Sequence, residues 1–199
     1  MPTIFSHAIV ASAAGQWLSP QSNPESRVPD PESRIPNPGR FWLWTIVCSM
    51  LPDIDVIGFS FGIAYEDLFG HRGFTHSLFF AALSGLLAAY RTSSPESRIP
   101  NPKSRVPIPG RFRLFVWFTA VTMSHGLFDA FTNGGRGIAF LAPFSNHRYF
   151  FPWRPIQVSP IGAGFFSPRG LSVLASEARW IWVPSAIMAA SARIFRRRT

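Results

Sequence analysis

Four of the five histidines and three of the aspartates stand in short polar interruptions of an otherwise apolar sequence. They are His7 in SHAIVAS, Asp53 and Asp55 in LPDIDVIGF, His71 and His76 in GHRGFTHS, and His125 and Asp129 in SHGLFDAFT. Imidazole and carboxylate together suit a divalent metal, zinc foremost, with manganese or iron also compatible. Cys48 is the single cysteine, which rules out an intramolecular disulfide and any thiolate-rich zinc module. His125 and Asp129 are spaced i, i+4, so on a helix both side chains leave the same face. An ionisable pair inside an apolar helix is costly without partners. The bland readings are a buried, hydrogen-bonded His7, turn and cap roles for Asp53 and Asp55, and solvated imidazoles for His71 and His76. Taken together, the seven point to one shared metal site. Seven candidates exceed what one four-coordinate ion uses, and two or three ions bridged by the aspartates would use them better. Such clusters acidify water and stabilise the attacking and leaving oxygens of a phosphoester. Arg72, between two of the candidates, and Arg148 carry the forked donors that match a substrate phosphate.

The elements that must position these residues are helical. Five apolar segments, 4–18, 41–51, 74–90, 114–131 and 180–195, are separated by polar stretches. Those at 74–90 and 114–131 have 17 and 18 residues, the lower limit for a spanning helix. Residues 24–41 match residues 95–112 at 13 of 18 positions, and the stretches 20–40 and 91–111 hold 11 of the 19 prolines. Such chain packs no core and carries no periodic apolar face, so both copies read as linker inserts. The expected fold is all-α: an integral membrane bundle of four or five helices, one domain over 1–199, with Pro-rich inserts at 20–40 and 91–111.

Charge agrees with a membrane setting. The chain has 19 basic and 10 acidic residues, yet only 15% of residues are charged and 47% are hydrophobic, too few charges for an ordinary soluble domain. The arginines cluster between segments 1 and 2, between segments 3 and 4, and after segment 5. Strict alternation puts all three clusters on one face, which the positive-inside rule makes cytoplasmic together with the C-terminus. Every one of the seven candidate ligands then gathers at the opposite, non-cytoplasmic face.

SHAIVAS, PDIDVIGF, GHRGFTHS and SHGLFDAFTNGG, in this order, with LAPFSNHRYFFPWRPI downstream, resemble the YdjM-like family of bacterial inner-membrane proteins. That resemblance implies a metal-dependent hydrolase, and the family is in turn distantly similar to zinc-dependent phospholipase C, an all-helical fold with a three-zinc site. By that similarity His125 and Asp129 match a His-x-x-x-acid ligand pair, and His71 and His76 are ligands from the preceding helix start. Asp53 or Asp55 is then a bridging carboxylate or the general base. The implied substrate is a phosphoester of a membrane lipid or lipid-linked molecule.

Three other signals count for less. Gly58-Phe59-Ser60-Phe61-Gly62 matches the nucleophile-elbow pattern, but no strand–helix alternation surrounds it. His147 lies among aromatics and arginines typical of a membrane interface and is left out of the ligand set. No nucleic-acid module and no obligate protein partner is evident. Two rival functions remain: a transporter or ion pathway using intramembrane His and Asp, and a purely structural metal pinning helix ends together.

Overall fold

The computed structural model describes residues 2–18, 38–93, 109–160 and 162–198. Most of both Pro-rich inserts, and with them the repeat, lies outside those residues. Six α-helices form the described fold: α1 (Ile4–Leu18), α2 (Pro38–Met50), α3 (Leu78–Thr92), α4 (Pro109–Ala130), α5 (Pro168–Glu177) and α6 (Val183–Arg198). Pro38 and Pro109 each open a helix, a position where proline is favoured because its missing N–H would have no partner. Helix therefore begins inside the stretches 20–40 and 91–111. The apolar segment at 180–195 belongs to a longer rod, in which one π-helical turn, Ala178–Trp182, joins α5 to α6.

Two local breaks create the scaffold of the site. Pro52 has no N–H to offer the carbonyl four residues back, and after Met50 the chain tightens into a 3₁₀ helix, Leu51–Phe61. It stops at Gly62, whose φ of 76° suits a residue without Cβ. In the second break, Phe74–His76 makes a separate 3₁₀ turn, and Ser77 then caps α3 by accepting from the Phe80 N–H at 3.0 Å.

The helices alternate in direction. α2 and α4 run toward the His/Asp end, while α1 and α3 start there and run away. Their far ends gather arginines, with Arg40 donating to the Arg91 carbonyl at 3.5 Å. Between the two ends lies an apolar core of Ala11, Phe41, Cys48, Ala88, Ala89, Leu114, Phe118 and Val121. α3 and α4 approach closely because α3 buries small residues, among them Ala81, Ser84, Gly85 and Ala88. A Cβ on Gly85 would lie 2.7 Å from the Thr119 backbone nitrogen, so no side chain fits there.

The outer faces are apolar. Leu43, Ile54, Ile57, Leu83, Leu86, Val116 and Ile187 are all exposed, a surface that suits lipid better than water. Among the described residues one helical stretch, Pro38–Phe61, is long and apolar enough to cross a bilayer, with 24 residues; α3 is apolar but shorter.

Candidate metal centre

All seven predicted ligands come together at one end of the bundle, and all are buried, Asp53 being the most exposed at 8%. α1 brings His7, the 3₁₀ helix brings Asp53 and Asp55, the loop before α3 brings His71 and His76, and the last turns of α4 bring His125 and Asp129. Asp53, His76, His125 and Asp129 each place a ligand atom within 4.8 Å of the others, and Asp53 also belongs to a second such group with Asp55 and His71. Asp53 is thus the carboxylate common to both donor sets.

Hydrogen bonds aim the donors. His125 Nδ1 lies 2.7 Å from the Ser49 carbonyl oxygen. A carbonyl only accepts, so Nδ1 carries a hydrogen and Nε2 is the nitrogen turned toward the other candidate ligands. That carbonyl sits in the last turn of α2, where helix geometry leaves carbonyls without a partner. His125 Nε2 faces Asp53 Oδ1 at 3.1 Å, and the His125 ring stacks on His7 with centroids 3.6 Å apart. His76 Nε2 lies 3.7 Å from Asp53 Oδ1 and 3.4 Å from Asp129 Oδ2, and His7 Nε2 lies 3.9 Å from Asp129 Oδ1.

The two aspartates of LPDIDVIGF have different surroundings. On a 3₁₀ helix of three residues per turn, positions two apart point in directions about 120° apart. Asp55 is saturated. Its Oδ1 lies 2.7 Å from His71 Nδ1, and its Oδ2 accepts from the Arg72 N–H at 3.0 Å and the Thr75 hydroxyl at 2.7 Å. His76 Nδ1 stands 3.1 Å from the same Oδ2. Asp53 Oδ2, by contrast, has no partner.

Arg72 and Arg148 are also engaged. Arg72 is buried, adopts a left-handed φ of 64°, and donates to the Gly134 carbonyl at 3.0 Å and to Thr132 Oγ1 at 3.1 Å. Its Nε stands 3.3 Å from Asp129 Oδ2. Arg148 donates to the carbonyls of His71 and Tyr65, both at 3.0 Å, and so holds the ligand-bearing loop in place. His147 is exposed and packs on Tyr149. Ser60 of the G-x-S-x-G match is exposed on the 3₁₀ helix.

A divalent cation fits this donor set. The buried atoms left without a hydrogen-bond partner include His7 Nε2, His76 Nε2, Asp53 Oδ2, both Asp129 carboxylate oxygens and Arg72 Nε, the last standing 3.3 Å from Asp129 Oδ2 as an ion pair. Buried polar atoms are rarely orphaned, and these converge on one spot. Three carboxylates share the site with one buried guanidinium, an excess of negative charge that burial makes expensive unless a cation offsets it. His76 registers that field. Burial pushes its imidazole down, but the carboxylates of Asp129, Asp53 and Asp55 outweigh burial and hold it well above its ordinary value. His76 lies in the turn before α3, outside the stretch Pro38–Phe61.

Sequence reasoning passed over the supporting residues. The Ser49 carbonyl, Thr75 and Thr132 act through backbone or hydroxyl contacts that residue type does not announce. Glu177 is completely buried in α5 and accepts from the Thr3 N–H at 2.5 Å, the Thr3 hydroxyl at 2.6 Å and the Ser6 hydroxyl at 2.7 Å. Its only sequence signal is an acidic residue within an apolar run, LSVLASEARWIW.

The fold and site thus define a helical protein with a buried His/Asp cluster at one end and an apolar outer surface. A family profile described as YdjM inner membrane protein matches residues 1–198, and the chain belongs to that family. It is also 36% identical over 189 residues to "Inner membrane protein YbcI" of Escherichia coli (strain K12), covering 94% of this chain and 95% of that protein. No solved structure matches the chain.

Proposed function

We propose that this inner-membrane protein is a metal-dependent hydrolase acting on a phosphoester of a lipid or lipid-linked substrate. The observation that carries the reading is the set of orphaned donor atoms, on His7, His76, Asp53 and Asp129, buried around one spot. In this reading His7, His76, His125, Asp53 and Asp129 hold one or two divalent ions, most simply zinc, with His71 completing the second group and Asp55, whose oxygens are both engaged, orienting His71 and His76. When bound, a divalent cation supplies a Lewis acid that acidifies water and neutralises charge developing on an ester oxygen. The chain's own residues do the rest. The unpartnered Asp53 oxygen orients a water and takes its proton, and Arg72 fixes Asp129 through their close ion pair. Arg148 holds the loop carrying His71 and His76, and either arginine completes an anion site if it turns toward substrate.

The same reading has four or five segments crossing the bilayer together, arginine-rich ends and C-terminus in the cytoplasm, and the His/Asp end toward the other side. The segregation of Arg40 and Arg91 from the His/Asp cluster supports this orientation.

Elemental analysis of detergent-purified protein beside His125→Ala and Asp129→Ala tests the site. One or two zinc or manganese ions per chain, lost in both variants while membrane insertion is unchanged, is the expected result and leads to a phosphoesterase screen. A single ion whose chelation unfolds the protein would make the metal structural. Normal metal content in both variants would remove the site assignment.

A further inference from the structure

A cavity of about 320 Å³ opens beside the candidate metal centre, and among the described residues that line it Asp53 alone is charged. Its walls include the N-terminal segment, with Ile4 and Phe5, then Val56 on the 3₁₀ helix, and Phe165 at the end of the short turn Gly162–Phe165. Apart from Asp53, the side chains that line it carry at most a hydroxyl. Its volume lies at the small end for ligand sites, a size that suits a narrow apolar group.

Two further observations say what fills it. First, the lining reaches exposed apolar surface through Phe5, which is 66% exposed, and Val56 stands on the stretch Pro38–Phe61 that is apolar enough to cross a bilayer. Phe5 therefore joins the cavity to an apolar surface of the kind that suits lipid chains. Second, the N-terminal wall is tied down. Glu177 accepts from the Thr3 backbone and hydroxyl and from Ser6, and Trp182 Nε1 donates to Ser6 Oγ at 2.7 Å. The wall is held in place by buried hydrogen bonds and keeps the cavity open.

We infer that this cavity binds one aliphatic chain of an amphiphile, entering from the apolar surface past Phe5 and setting the polar group joined to that chain beside Asp53. The inference rests on the hydrolase reading for its catalytic meaning, but the binding site stands or falls separately.

The test uses full-length protein in lipid nanodiscs and a long-chain fatty alcohol carrying a diazirine close to its hydroxyl end. After illumination the adducts are mapped by peptide mass spectrometry, and metal content is measured on the same samples. The expected result is labelling concentrated on Ile4, Phe5, Val56 or Phe165, lost in Val56→Trp, which fills the cavity, and retained in Leu86→Trp on the outer face of α3. Val56→Phe serves as the milder variant if Val56→Trp does not fold, and its labelling should fall as well. Labelling spread evenly over the apolar surface, or unchanged by filling the cavity, overturns the inference. Pocket labelling in protein that takes up no metal would leave the chain site standing and remove the hydrolase reading. Metal uptake without pocket labelling would do the reverse.

Discussion

Asp53 and Asp55 lie two residues apart in one motif, yet their surroundings call for unequal effects when each is changed to asparagine. Asp55 holds four groups: His71 Nδ1, the Arg72 N–H, the Thr75 hydroxyl and His76 Nδ1. Asparagine offers one acceptor oxygen and one donor nitrogen. Its oxygen can keep the Arg72 and Thr75 donors, but its nitrogen must then face His71 and force that ring to accept. Both histidines also lose the negative charge that orients them. Losing a carboxylate that orients a metal-ligating histidine costs about 10–100-fold in affinity. One displaced buried polar contact costs about 1–3 kcal/mol of stability. Asp55→Asn should therefore still bind zinc, about 10–100-fold more weakly. Asp53→Asn removes charge from the donor cluster itself and from the carboxylate common to both groups, so its binding should fall below detection at the same concentrations. Competition against a chelating dye, with wild type and both variants in one detergent, reads the three affinities. Equal losses in the two variants, or wild-type affinity in Asp55→Asn, would refute the division of labour drawn from the geometry.

Two further expectations follow from buried charge. Glu177→Ala strands the Thr3 and Ser6 donors and should lower stability by about 2–4 kcal/mol, with Glu177→Gln closer to wild type. Thermal unfolding in detergent reads the difference, and an unchanged midpoint in the alanine variant would show that the network does not hold the first turn of α1. The raised His76 value means that metal-free protein keeps a proton there at neutral pH. Its stabilising contribution is full below the unfolded-state value of 6.5 and is lost as pH rises through the raised folded-state value. Zinc must displace that proton, so affinity should weaken as pH falls. Calorimetry in buffers of different ionisation enthalpy should give buffer-dependent heats, and identical heats would contradict a protonated His76.

Much of this protein is legible in residue types and spacing, because those signals are local. The i, i+4 pair His125 and Asp129 leaves one face of α4 as helix geometry requires. The alternation of apolar segments separates the arginines from the histidines without any knowledge of packing. Each apolar segment coincides with a helix, although the helices begin earlier at Pro38 and Pro109, because proline at a helix start costs nothing. The 3₁₀ turn Phe74–His76 was hidden inside an apparently continuous apolar run. The cue to a boundary was Ser77, a capping residue whose role depends on where the previous turn ends.

By itself the sequence determined the chemistry available: imidazoles and carboxylates without thiolates, in four short motifs separated by apolar helices that alternate in direction. Only the tertiary structure decided which atoms of those residues are free. Asp53 has an unpartnered oxygen and Asp55 has none, because the 3₁₀ helix after Pro52 turns the two side chains toward different neighbours. Arg72 reaches inward to Asp129, and Glu177 meets Thr3 across 174 positions of sequence. Contacts of that range arise when helices pack, and the residues that make them carry no local pattern to announce them.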